Sequence, residues 1–266
     1  MINSRFLKYI NKVFIGALLI VVMFDGTLSA KIVTIEEAVN KAGRQRMLTQ
    51  KMLKEYSLIG MTSSYGDPKK SLGKSITLFD TQLEELQAFV KDKEALKSLL
   101  HVEKMWQPIK KSLKELPSKD KAASLQRELE LLLNESHNAT LLITKASGST
   151  TGEIVNISGR QRMLSQRMAS LYMLKVWGVN DSEFQTKLAI AMKEFSVANT
   201  TLHKSSLNTK EIDTLLLKVD KSYLFFKVMG NSKSKKYIPS LINRSANTIL
   251  ENMNTITGLY VSGKKN

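Results

Sequence analysis

Arginine says most about chemistry in this 266-residue chain, because it occurs twice in one setting. Asn40–Met52 (NKAGRQRMLTQKM) aligns without gaps to Asn156–Met168 (NISGRQRMLSQRM), with nine of 13 positions identical. At 100° per residue, Arg46 shares a helix face with Val39, Ala42, Gln50 and Leu53, while Arg44 falls on the opposite side with Asn40 and Lys51, which reads as solvated. An arginine on a packing face needs an acceptor, because an unpaired buried guanidinium is strongly destabilising. Three and four residues from Arg46 stand Ala42, Gly43, Thr49 and Gln50, and around Arg162 stand Ser158, Gly159, Ser165 and Gln166. None is a carboxylate, so the acceptor must come from elsewhere. Two readings stay open. A planar oxyanion would match the guanidinium fork, with small residues letting it approach and Gln50 and Gln166 adding hydrogen bonds. Alternatively, acids or free carbonyls of neighbouring helices hold the arginines, and Gly43 and Gly159 only allow close packing. The candidate ligand-binding residues are Gly43, Arg46 and Gln50 in the first copy and Gly159, Arg162 and Gln166 in the second. Each copy is expected to keep a similar arginine-centred site, with Arg44 and Arg160 turned to solvent or to a second subunit.

Little else suggests chemistry. His101, His137 and His203 are isolated and cysteine is absent, so no metal site is expected and the histidines read as helix-surface residues. No phosphate loop or nucleophile elbow occurs. The expectation is a non-enzyme with no catalytic residues and no cofactor. Met47, Met52, Met163, Met168 and Met173 read as gap-filling core, as do the aromatics Trp106, Tyr223, Phe225 and Phe226.

The elements that must position the arginines are helices. With 13 Gly and 4 Pro, the chain lacks the punctuation of a many-stranded protein. The motif repeats at a spacing of 116 residues, which also pairs Phe79 with Phe195. One added residue pairs Val102 with Val219, Trp106 with Tyr223 and Lys110 with Lys227. A weaker match sets Leu133–Ser136 against Ile242–Ser245. Breakers at Gly66-Asp67-Pro68, Leu116-Pro117-Ser118 and Ser147–Gly152 predict helices over 33–61, 68–92, 93–115 and 119–147, then 152–178, 181–206, 208–230 and 237–261. Pro108 should kink the third helix without ending it. The fold expected is all-α: two tandem antiparallel four-helix-bundle units, at 31–148 and 149–266, behind a signal peptide at 1–30.

That leader rests on basic Arg5, Lys8 and Lys12, the apolar run Val13–Phe24, and the small residues Ser29-Ala30. The protein is expected in the periplasm, or anchored to the inner membrane if the leader is retained. No second apolar run of spanning length follows residue 31, which points to a separate protein for signal output. The formal charge is +16, of which residues 1–30 carry +2. Outside the cytoplasm, such a surface suits small anions or anionic lipid headgroups, but lysines spread along the chain read first as plain solubility, and no nucleic acid is expected as a partner.

The motif N-x-[AS]-G-R-Q-R-M-L-[ST]-Q-[KR]-M at the start of a helical unit resembles the PilJ/NarX-type N-terminal sensing domain, once per repeat. That family occurs in type IV pilus chemotaxis transducers and in nitrate/nitrite sensor kinases. In its nitrate sensors, an arginine just before the Met and backbone near the Gly hold nitrate. By position, the resemblance implies Arg46 with Gly43, and Arg162 with Gly159. It further implies an exported sensor for a small anion, nitrate or nitrite first, relaying to a membrane chemoreceptor or sensor kinase, with a homodimer as a further candidate. Arg44-Gln45 and Arg160-Gln161 follow the transducer-like version. The competing expectation is a helical scaffold or adaptor that binds a protein partner and no small molecule.

Overall fold

Helix starts are written locally. Thr34 accepts from the Glu37 amide, Asp67 from Lys70 ahead of Pro68, Asp92 from Ala95 and Ser149 from Gly152, so side-chain oxygens satisfy first-turn N–H groups. The computed structural model describes residues 31–63, 65–230 and 238–263. It contains α1 (Ile35–Gly60), α2 (Pro68–Phe89), α3 (Lys93–Lys114), α4 (Lys119–Ser147), α5 (Thr150–Trp177), α6 (Phe184–His203), α7 (Lys210–Gly230) and α8 (Pro239–Ser262). The fold is all-α, as expected, and α3 continues through Pro108. Gly148 ends α4 with φ 58°, a left-handed turn that glycine adopts without strain, and the second repeat begins directly after it. The leader read at 1–30 lies outside the described residues. Among those described, no helix is long and apolar enough to cross a membrane.

Each repeat is a ring of four helices. In the first, α1 packs on α2 and α4, and α3 closes the ring; α5 to α8 repeat the arrangement. Neighbours in a ring are antiparallel: Lys41 pairs with Glu85 and Lys51 with Ser71 across α1–α2, and Gln87 with Glu103 and Asp80 with Lys110 across α2–α3. The aromatic pairs Phe79–Trp106 (4.3 Å between centroids) and Phe195–Tyr223 (4.4 Å) occupy matching places. The five motif methionines, Trp106, Tyr223 and Phe226 are buried as expected. Phe225 is the exception: it is 43% exposed.

The last helices correct one detail of the repeat. Leu125, Leu129, Leu132, Leu133, Ser136, Ala139, Thr140 and Ile143 of α4 are buried. So are Ile242, Ala246, Ile249, Leu250, Met253, Ile256, Thr257 and Tyr260 of α8. Every pair is 117 apart. The weaker match of Leu133–Ser136 with Ile242–Ser245 is therefore two turns out of the packing register, because short apolar strings recur along any amphipathic helix.

The described residues form one compact unit, with the two rings sharing their motif helices: α1 against α5 is the most extensive helix pair among them. Residue 148 thus divides the repeats in sequence while both belong to one body.

Candidate functional site: paired arginines where the motif helices meet

Contacts along α1 and α5 advance together, which makes the pair parallel. Ser149 donates to Glu36 near the start, Gly43 faces Gly159, Ser170 donates to Gln50 further on, and Gly60 lies against Trp177 at the end. The repeats are thereby related by a pseudo-twofold along the seam. At Gly43 the backbones come close enough that an added Cβ would lie 3.9 Å from the Gly159 Cα, 3.2 Å from Arg46 Nη2 and 3.5 Å from Arg162 Nη2. A Cβ at Gly159 would meet Arg162 Nη2 at 3.1 Å and Arg46 Nη2 at 3.5 Å. Both guanidiniums therefore converge on one spot between the two glycines. The sequence suggests a site in each repeat; the structure sets both arginines at a single crossing.

Arg46 and Arg162 are both 0% exposed, on the inward face that the wheel assigns them. Their partners are neutral. Arg46 Nη1 lies 3.0 Å from His137 Nδ1, and its Nη2 donates to the Asn156 carbonyl at 3.3 Å. Arg162 Nη1 donates to Asn254 Oδ1 at 3.0 Å, and its Nη2 to the carbonyl and Oδ1 of Asn40 at 3.2 and 2.8 Å. Among the described residues, neither arginine forms an ion pair with a carboxylate. Both Nε atoms are buried without a partner, and so is the Asn156 Oδ1. Two like charges converging in a poorly solvated interior repel, on top of the cost of burial. Burial, and then Arg160, lowers the Arg46 pKa to about 9. Burial, then Arg44 and Arg46, holds that of Arg162 well below its ordinary value.

His137 completes one end of the pair. Burial, followed by the charges of Arg46 and Arg160, depresses its pKa to about 4, so at neutral pH its bare Nδ1 accepts from Arg46. It is not the surface histidine that its isolation in the sequence suggests. A cleft of about 190 Å³ leads to Arg46 and His137 from outside, rimmed by the ion pairs Arg167–Glu130 (2.7 Å) and Arg160–Glu194 (3.1 Å). Arg160 is thus half-exposed and paired. Arg44 is half-buried, its pKa lowered by burial and partly restored by Glu85.

Gln50 and Gln166 are buried but bond elsewhere: Gln50 to Thr49 and Ser170, Gln166 to Ser165 and the Ala246 carbonyl. Asn40, His137 and Asn254 are the polar partners that the sequence reading misses. Asn40 and Asn156 open the repeated motif, which is a usable signal, but the wheel sets Asn40 on a solvated side that the central helix lacks. Gln45 and Gln161 are a second matched pair, donating to the Phe79 and Phe195 carbonyls at 3.1 and 3.0 Å and tying each motif helix to its neighbour.

The model of the family described as type IV pili methyl-accepting chemotaxis transducer N-terminal, PilJ, matches residues 29–132 and 143–221, one segment for each repeat. The chain belongs to the PilJ family. Neither a curated protein nor a solved structure matches it. As a PilJ-type domain it is a sensing module of the kind that relays signals to partners, and its repeated motif forms the seam between the two PilJ-like rings.

Proposed function

We propose that this protein is an exported sensor that holds one small anion between its repeats, coordinated by Arg46 and Arg162, and passes occupancy to a separate membrane signalling protein. The observation that carries this reading is the pair of wholly buried guanidiniums converging on Gly43 and Gly159 without an acid. A monovalent planar oxyanion there would neutralise the repulsion and supply acceptors to the two idle Nε–H groups. Nitrate and nitrite are the first candidates by shape and charge. The cleft beside His137 reaches Arg46, and an anion seated between the glycines would displace the guanidinium ends, since even a Cβ at Gly43 or Gly159 would lie 3.2 or 3.1 Å from one of them. No chemical step is assigned. A periplasmic location fits the leader-like first thirty residues, and a chemoreceptor or sensor kinase is the partner class that a PilJ-type sensing domain would address.

Calorimetric titration with nitrate, nitrite, formate and chloride tests the reading. Expected is one anion per chain, with binding abolished by either Arg46→Met or Arg162→Met, since one site needs both. Bound anion should raise the melting temperature, by about 2.7 kcal/mol of stability at 100 times Kd. Two independent sites, each lost to only one substitution, would contradict the shared site. If no anion binds and both variants only lose stability, the arginines serve packing alone.

A further inference from the structure

The repeats supply an internal control for surface chemistry, since both build the same ring. On α7, Leu217, Leu224, Phe225 and Val228 are between 43% and 57% exposed. Positions 217, 221, 224 and 228 are spaced as one helical face, with Phe225 beside it. The buried pairs Val102/Val219 and Trp106/Tyr223 set the register at 117. At the equivalent places, α3 carries Leu100, Gln107, Pro108 and Lys111, all exposed. The ring therefore does not require an apolar outer face, and α7 has acquired one.

The same face is cationic. Lys218, Lys221 and Lys227 are exposed among the apolar residues, and the one acid between 214 and 228, Asp220, has its partly exposed carboxylate tied to Asn199 and His203. This composition selects the occupant. Four side chains already about half covered offer roughly a few hundred Å², below the ~800 Å² per partner of a stable protein interface. A second copy on a twofold would also set Lys218 and Lys221 against their own equivalents. An anionic bilayer needs only shallow apolar insertion with cations at the phosphates, and meets both features. We propose that the outer face of α7 docks the second repeat on an anionic lipid surface, an orientation device absent from the first repeat.

Because the chain has no cysteine, a single dye can report on one position. Val228→Cys in the full chain, labelled with an environment-sensitive fluorophore, is compared with Lys111→Cys at the equivalent place on α3, so attachment through the first thirty residues affects both alike. On phosphatidylglycerol/phosphatidylethanolamine vesicles, the label at 228 should brighten severalfold and shift to the blue, while that at 111 stays unchanged. Phosphatidylcholine vesicles should give no response. Lys218→Glu with Lys221→Glu should weaken the response about tenfold or more, and Leu224→Gln should also reduce it. Equal responses at 228 and 111, an equal response on phosphatidylcholine, or no response would overturn the proposal. A blue shift without vesicles that grows with protein concentration would overturn it in favour of self-association.

Discussion

At the scale of single residues, the two ends of the arginine pair differ in one titratable group: Arg46 leans on His137, where Arg162 has Asn254. The depressed His137 pKa carries a sign. Above pH 6.5 the ring is neutral in folded and unfolded chains and full stability is present. Between 6.5 and about 4 the unfolded chain takes up a proton that the folded state refuses, so stability falls as pH falls. With screening at this half-buried ring, the loss is on the order of 1 kcal/mol. Urea titrations at pH 7 and pH 4.5 should show it, and His137→Asn, which copies the other repeat, should flatten the difference; an unchanged slope would remove His137 from the pair. Gly43→Ala tests the gap. Its methyl would press on both guanidiniums at 3.2 and 3.5 Å. Anion affinity should fall at least tenfold, while the melting temperature shifts only modestly because flexible side-chain ends can yield. Much of this centre is legible in the sequence, for the repeat marks the arginines and glycines and the missing neighbouring acids mark the need for an acceptor. Which neutral groups answer that need depends on contacts between residues about 90 to 120 positions apart, as Arg46 with His137 and Arg162 with Asn40.

At the scale of elements, helix positions follow from caps and breakers, so the observed spans fall within three residues of those predicted at either end. The wheel reading succeeds for Arg46 and fails for Asn40 for a common reason. It assumes a solvated side, and α1 and α5 are enclosed by three helices each, burying Gln45, Gln50, Lys54 and Glu55 along with the apolar residues. Lys54 shows the consequence. It is fully buried, its pKa brought down to about 8 chiefly by burial, and it donates to Asn247 of α8 at 2.7 Å while lying 3.5 Å from Glu55. Each central helix also anchors the start of its ring's last helix: the Tyr56 hydroxyl accepts from the Ser118 amide and that of Tyr172 from Ile238. Tyr56→Phe leaves that amide without its acceptor. It should cost about 1–2 kcal/mol and speed hydrogen exchange at the start of α4 ahead of the rest of the bundle. Uniform exchange across the bundle would show that the hydroxyl is not an anchor.

At the scale of the whole molecule, the decisive relation is the α1–α5 seam. Were the rings separate bodies, the faces bearing Ala42, Gly43 and Arg46, and Ser158, Gly159 and Arg162, would be solvated, and the charges would not meet. Here the seam buries those faces along its length, and the molecule unfolds only by exposing both. At the far end, the Trp177 indole of the second repeat lies against Gly60 and in an edge contact with Tyr56 at 6.0 Å between centroids, so a methyl at Gly60 would collide with the indole. The rings should therefore melt in one transition, with equal calorimetric and van't Hoff enthalpies. Gly60→Ala, which injures only the seam, should lower that single midpoint by several degrees without splitting it, at a cost of about 1–3 kcal/mol for the overpacked contact. Two resolved transitions in the native chain would mean that the repeats are independent domains. A split appearing only in Gly60→Ala would mean that the seam couples two rings, each able to stand alone. A repeat expressed by itself as residues 31–148 would bare the α1 seam face, and should either fail to fold or pair with a second copy in the parallel arrangement that α5 provides in the native chain.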